Sequence, residues 1–540
     1  MRKLVLAAIA ALSTTAAATP PLPPPPHLLV VISIDQFSAD LWDAYRPQFT
    51  GGFARLASGT LFRNGYQSHA ATETCPGHST LLTGDRPATT GIISNLWVDQ
   101  SLPRSDKSVY CAEDESAPGT SSTAYKVSDT HLRVPTLGDR LKARIPAARN
   151  VAVSGKDRAA VMMSGHHADQ RWYWDGKQFA TDLSGVAAPQ VVGAINAEVQ
   201  RLLAGPSTPL VPPPFCAAKA QPIPLEGGGK PVGNGTLARS AGDAAGFRAS
   251  PEIDASTLAL AAGLVQEMKL GSGSGPDLLS ISLSGTDYVG HTYGTGGQEM
   301  CLQLLELDRE LGDFFAFLDR SGVDYALALS ADHGGLAIPE RLRLHGVADA
   351  ARVDPALGAS AMGKRIGQQL GLAGPVLLGS FGGDIVIDHG LKAADRARVL
   401  REALRQYRAH PQVAAAFSSA QIAKTPMPSG NPVQWTLIQR ARASFDPRRS
   451  GDIMLMLKPH IMPIVDTRSY VATHGSPWDY DRRVPIAFWR KGFPSSAREE
   501  PVETVDIMPT LAMMMGLRLE APAIDGKCLD GAPGVICAFR

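Results

Sequence analysis

The sequence predicts an α/β fold with a mostly parallel central sheet flanked by helices and with inserted cap regions. Three observations carry this expectation. Residues 27–34 (HLLVVISI) are a continuous apolar, β-branched run, the pattern of a strand buried on both faces, and Asp35 stands at its C-terminal end. The plan then recurs: residues 151–154 precede Lys156 and Arg158, 278–283 (LLSISL) precede Asp287, 325–329 (YALAL) precede Asp332, and 484–489 (VPIAFW) follow His474. Between these runs, apolar residues fall at helical spacing over 301–318 and over 504–517, where Pro509 occupies an early turn. Strands alternating with helices imply a parallel sheet covered on both faces, and such sheets bind ligands at the carboxyl ends of their strands.

From the N-terminus, Arg2 and Lys3, an apolar run from Leu4 to Leu12 and the small residues Ala16 to Ala18 follow the three-part plan of a secretory signal peptide, residues 1–18. A retained anchor is the weaker reading, because the run is too short to span a bilayer and no later run approaches that length. Residues 19–26 are a proline-rich tether, extended because proline fixes φ and donates no hydrogen bond. Residues 27–540 are read as one catalytic domain. Two stretches interrupt its rhythm, at about 97–275, rich in Gly, Pro and Ser, and about 338–462, with its own strands near 376–378 and 384–387 and a helix near 392–410. Both are expected to be caps, and His166, His167 and the aromatic residues 172–174 are placed in the first of them.

With 540 residues, 44% of them hydrophobic, the chain buries a large core. Its 52 basic and 51 acidic residues leave a formal charge of +1, which excludes the broad basic field of a nucleic-acid or anionic-membrane binder. The six cysteines show no CxxC zinc spacing and suit disulfides in an oxidising compartment. Cys528 and Cys537 flank a Gly/Pro turn and are expected to pair. Cys75 with Cys111 is one further option, which leaves Cys216 with Cys301, but spacing alone leaves the connectivity open.

The chemistry centres on Thr74, in the stretch ATETCPGHSTLLTG, where a strand gives way to a helix. Backbone N–H groups and the helix dipole favour a phosphate there, but a threonine hydroxyl is too weak an acid to ionise unaided. It needs metal ions, and four segments offer ligands. Asp287 and His291, four apart, share one side of a helical turn; Asp332 and His333 are adjacent before two glycines; Asp35 stands at a strand end and His474 beside a glycine turn. Each pair in isolation reads as ordinary hydrogen-bonded structure; that all four segments fall next to buried strands or glycine turns and flank a potential nucleophile is the argument. Three aspartates and three histidines suit two zinc ions: Asp35, Asp332 and His333 with the Thr74 oxygen on one, Asp287, His291 and His474 on the other. Two such ions stabilise the attacking and leaving oxygens of an in-line displacement. His78, one turn into the helix, is expected to buttress the nucleophile turn rather than to bind metal.

The motifs VISIDQF, TETCPGHSTLLTG, SGTDYVGHTYG, SADHGG and THGSPWDYDRRVPIAFW, in this order across the mature chain, together resemble the alkaline phosphatase superfamily. The resemblance is to the branch shared with nucleotide pyrophosphatase/phosphodiesterases. Cys75 replaces the aromatic residue that usually follows the nucleophile in nucleotide phosphodiesterases. Lys156 and Arg158, in VAVSGKDRAAV, resemble the Lys-x-Arg pair of secreted bacterial alkaline phosphatases of the PhoK/PafA type, where it contacts the non-bridging phosphate oxygens. Asn95 matches a donor to a phosphoryl oxygen. The resemblance therefore implies a secreted or periplasmic phosphomonoesterase acting on small substrates at alkaline pH through a covalent phosphothreonine. The alternatives are a phosphodiesterase or nucleotide pyrophosphatase on the same site and a catalytically silent phosphate- or metal-binding protein.

Overall fold

The computed structural model describes residues 24–519 and 523–537; the expected signal peptide and most of the tether lie outside them. Ten strands build the main sheet: β1 (Leu28–Ile34), β2 (Thr60–Tyr66), β3 (Asn150–Ser154), β4 (Gln170–Trp174), β5 (Phe179–Ala180), β6 (Asp277–Leu283), β7 (Tyr325–Ser330), β8 (Arg483–Arg490), β9 (Ser496–Arg498) and β10 (Val502–Glu503). Their order is β9-β2-β8-β7-β1-β6-β3-β4-β5, with β10 also on β2. From β7 to β4 every pairing is parallel, whereas β8 runs antiparallel to both neighbours.

The apolar runs are continuous because two cores need them. In β1 every residue is buried. Leu28, Val30, Ile32 and Ile34 enter one cluster with the helices Pro251–Met268 and Gln298–Ser321, while Leu29 and Val31 enter another with the helix Ile507–Met514. Side chains that alternate across a strand thus serve helical layers on both faces. The 504–517 segment begins as a 3-10 turn, Thr504–Asp506, before its α-helix.

One boundary needs correction. The stretch 97–275 is not a cap throughout, since β3, β4 and β5 belong to the main sheet and the helices Asp157–Ser164 and Pro251–Met268 pack against it. The aromatic residues Trp172 to Trp174 are therefore sheet residues. Composition averaged over that window, with its Gly, Pro and Ser loops, hides three short strands; of these only the five residues of β3 repeat the apolar pattern. Residues 377–457 do form a separate antiparallel sheet, in the order Leu377–Gly379, Gly383–Ile387, Ile453–Leu457, Val413–Ser418, with the helices Ala359–Leu370 and Ala393–Ala409 on its own core. Its other face approaches the chain before Thr74, where Ala70 N donates to Ser444 Oγ at 2.9 Å.

The disulfides are Cys75–Cys111, Cys216–Cys301 and Cys528–Cys537. The first ties the start of the Thr74 helix to the residue that follows the short strand Ser108–Tyr110.

Close approach between this helix and β7 depends on Gly77. A Cβ there would stand 2.0 Å from the carbonyl oxygen of Asp332, a backbone atom that cannot swing away. Gly77→Ala is expected to cost about 1–3 kcal/mol of stability, as overpacking does, and to lower kcat by moving Thr74 relative to Asp332. A melting midpoint and kcat that both match the wild type would count against this.

Candidate active site

The strand ends deliver the acids. Asp35 N donates to Leu283 O at 2.9 Å, so the β1–β6 ladder continues as far as the acid itself. Asp287 begins the helix that follows β6, Gly285–Tyr293, and Asp332 follows β7. Because β8 is antiparallel, its leading rather than trailing end lies at this edge, and the preceding loop brings His474 there.

All three aspartates are buried, at 0–1% exposure, as are His78 and His333. His291 Nε2 lies 3.3 Å and His474 Nε2 3.5 Å from Asp287 Oδ1, and His333 Nε2 lies 3.1 Å from Asp332 Oδ2. Each imidazole is turned by its other nitrogen. Nδ1–H donates to Ala472 O in His291, to Gly334 O in His333 and to Thr72 O in His474, at 2.8, 2.9 and 2.8 Å. That fixes the tautomer and leaves every Nε2 lone pair facing the carboxylates, the disposition of metal-ligating histidines.

These side chains compose two groups able to hold a cation: Asp287 with His333 and His474, and Asp35 with His78 and Asp332. The expected division put His333 with Asp35 and Asp332. It stands between the groups, in contact with Asp332 and with its ring 3.5 Å from that of His474. His78 donates from Nδ1 to Thr74 O at 2.9 Å, so it does buttress the turn at Thr74, yet its Nε2 is also 3.4 Å from Asp35. Asp332 Oδ2, His78 Nε2 and His333 Nε2 are buried without hydrogen-bond partners. Three buried carboxylates and orphaned nitrogen and oxygen lone pairs form a donor set that divalent cations fit.

Lys156, just past β3, puts Nζ 2.8 Å from Asp35 Oδ2 and 2.5 Å from Asp287 Oδ2. Burial disfavours its charge, but Asp287 and Asp35 outweigh burial and hold the amine above its ordinary range. Burial likewise opposes protonation of His333, yet without a cation Asp332 beside it lifts the imidazole to about 9; a bound cation would displace that proton to take the Nε2 lone pair. His474 goes the other way, since burial and the neighbouring His333 both push it down.

Thr74 opens the helix Thr74–Thr83 and is fully buried. Arg158 Nη2 reaches its Oγ1 at 3.4 Å. The Arg158 guanidinium is steadied from behind: Nη1 donates to Tyr110 Oη at 3.4 Å, and that hydroxyl donates to Asp157 at 2.8 Å. Asn95 accepts the Cys75 N–H at 2.8 Å through Oδ1, which leaves its NH₂ group as a donor beside Thr74. Asp35, Thr74, Asn95, Lys156, Arg158, Asp287, His291, Asp332, His333 and His474 therefore lie in one region.

Sequence reasoning missed Gln36. Its side chain donates to Asp287 Oδ1 at 2.8 Å and its backbone N–H to Asp332 Oδ1 at 3.1 Å, so it links both acids. Its φ of 63° is left-handed, and Gly290 and Gly335 leave room for it: a Cβ on Gly290 would fall 1.6 Å from Gln36 Oε1. The signal lay in the glycines of DYVGH and DHGG. Asp481 was also missed; it accepts from Ser476 N at 2.8 Å, and its carbonyl takes Gly334 N–H at 2.7 Å, which pins the loops carrying His474 and His333 together.

An α/β sheet that gathers a helix-start hydroxyl, an arginine beside it and two candidate cation-binding groups at its strand ends belongs to an enzyme that hydrolyses phosphate esters. A family model described as type I phosphodiesterase / nucleotide pyrophosphatase matches residues 29–477, and the chain belongs to that family. It is 53% identical to alkaline phosphatase PhoK of a Sphingomonas species, over 94% of this chain and 91% of that protein. It is 46% identical to alkaline phosphatase PhoD of Zymomonas mobilis, over 93% and 88%. The crystal structure of alkaline phosphatase PafA superposes with a TM-score of 0.80 at 25% identity, covering 92% of this chain and 96% of that one.

Proposed function

We propose that the chain is an alkaline phosphatase that releases inorganic phosphate from phosphomonoesters through a phosphothreonine on Thr74. The observation that carries this reading is Arg158 Nη2 at 3.4 Å from Thr74 Oγ1, within a site that also holds Lys156 and Asn95. A monoester dianion has oxygens that a diester lacks, and two cations beside the nucleophile favour it. Relatives named alkaline phosphatases at 53% and 46% identity support the same reading.

Two zinc ions would be held by Asp35, Asp332, His333 and the Thr74 oxygen, and by Asp287, His291 and His474, supplying the charge that ionises the threonine hydroxyl and the departing oxygen. Thr74 Oγ1 attacks phosphorus while Arg158, Lys156 and the Asn95 amide hold the non-bridging oxygens. The P–O bond to the leaving group breaks and its electron pair stays on that oxygen. Water then attacks the same phosphorus, the P–Oγ1 bond breaks and Thr74 is restored. Gln36 keeps Asp287 and Asp332 in register throughout.

The family's description favours a second reading, phosphodiesterase chemistry on the same residues. The ratio of kcat/KM on p-nitrophenyl phosphate to that on bis-p-nitrophenyl phosphate decides between them. A ratio well above one is expected, and one below one overturns the assignment. Dialysis against a chelator is expected to abolish hydrolysis, with about two zinc ions per chain bound on recovery; activity that survives complete metal removal would refute the donor-set assignment.

Export to the periplasm or medium is part of this proposal, supported by the N-terminal plan and three disulfides. Among the described residues no helix is long and apolar enough to cross a membrane.

A further inference from the structure

Beside the phosphoryl position the protein carries another cation that the chemistry above does not use. A groove of about 710 Å³ runs from Lys156 and Arg158 past Tyr288 to Arg248. Arg248 ends the short helix Ala244–Arg248, and its guanidinium carbon lies 4.9 Å from the centroid of the Tyr288 ring. Lys156 Nζ approaches that same ring, also at 4.9 Å. Two cations sharing one phenol ring lie within the span of a small substrate.

The acids of the groove are already engaged. Asp157 accepts from the Tyr110 and Tyr125 hydroxyls at 2.8 and 2.7 Å. Asp182 is bound by Arg171 at 2.6 Å, and Asp175 accepts the backbone N–H groups of Lys177 and Gln178, each at 2.8 Å. Arg239, on the preceding loop, is held by Glu252 at 2.6 Å, whereas Arg248 meets no carboxylate among the described residues. A guanidinium laid on an aromatic ring keeps its N–H edge for an oxyanion, and half-burial limits the water competing for it.

We infer that Arg248, stacked on Tyr288, is a leaving-group subsite that selects phosphomonoesters bearing a second phosphate. The inference rests on the phosphatase reading. Thr74 attacks one phosphorus, the P–O bond to the leaving group breaks with its electron pair on that oxygen, which solvent protonates, and the second phosphate, held at Arg248, departs intact.

The test compares 1,4-butanediol bisphosphate with butyl phosphate on the metal-loaded enzyme. In the wild type the bisphosphate is expected to have the higher kcat/KM, and the preference to shrink as ionic strength rises. Arg248→Gln is expected to lower the bisphosphate-to-monophosphate ratio about tenfold, chiefly through KM, and Arg248→Lys to keep most of it. The matching bisphosphonate and monophosphonate, as competitive inhibitors, should show the same loss in Arg248→Gln. A wild-type ratio of one or less, insensitive to salt, overturns the subsite, as does an Arg248→Gln ratio within twofold of wild type. If the wild type hydrolyses neither compound, the phosphatase reading falls and takes the subsite with it; hydrolysis of both without preference removes the subsite alone.

Discussion

Thr74→Ala is expected to lower kcat for p-nitrophenyl phosphate by about four to six orders of magnitude while leaving the melting midpoint and metal content close to wild type. The size follows from chemistry: with Oγ1 gone no phosphothreonine forms, and only direct attack by water remains. The stability follows from the structure, because the hydroxyl makes a single 3.4 Å contact, to Arg158, and the helix start is held by Asn95 and by the Cys75–Cys111 bridge. Thr74→Ser keeps the oxygen and should retain most activity. Mass spectrometry after an acid quench should find the phosphoryl group on the peptide containing Thr74 in the wild type and not in the alanine variant. Undiminished turnover by Thr74→Ala would move the nucleophile elsewhere.

The double substitution Lys156→Ala with Arg158→Ala should reduce kcat/KM on a monoester by roughly 10² to 10⁴ and on a diester by less than about tenfold. Hydrogen bonds to charged groups contribute about 1.5–3 kcal/mol each, and a diester offers the pair one fewer anionic oxygen. Arg158 is the cleaner of the two, since its guanidinium touches Thr74 and Tyr110 and none of Asp35, Asp287 and Asp332. Lys156 also bridges Asp35 and Asp287, so its removal is to be read together with metal content. A parallel loss on both substrates would mean that the pair serves the nucleophile or the metal ligands rather than the phosphate.

How far the sequence could be read depended on length and pattern. The run 27–34 announced β1 because a strand with helices on both faces must be apolar at every position, and the helix read at 301–318 appeared as Gln298–Ser321 because three-residue extensions at helix ends carry little periodic signal. The strands Gln170–Trp174 and Phe179–Ala180 escaped, since the first opens on Gln and Arg although all five of its residues are buried, and the second, at the sheet edge, is only two residues long. At the site, Asp35, Asp287 and Asp332 were legible because each follows a buried strand. Gln36 was not, because glutamine is not a ligand type and its role arises only when its side chain, carried on a left-handed backbone, is pressed between Gly290 and Gly335. His78 was placed correctly behind Thr74, but its approach to Asp35 requires knowing how closely the Thr74 helix lies on β7.

The sequence by itself determined the parallel α/β plan, the residues able to do chemistry and the end of the sheet where they gather, because burial and strand polarity are written in local pattern. Tertiary structure alone decided that β8 runs antiparallel and so delivers His474 from its leading end. It also decided that His333 stands between two ligand groups, that Lys156 bridges Asp35 and Asp287, and that Arg248 is laid on Tyr288 beside the phosphoryl position. These are contacts between segments tens to hundreds of residues apart, fixed by how helices and loops pack, and no local periodicity encodes such distances.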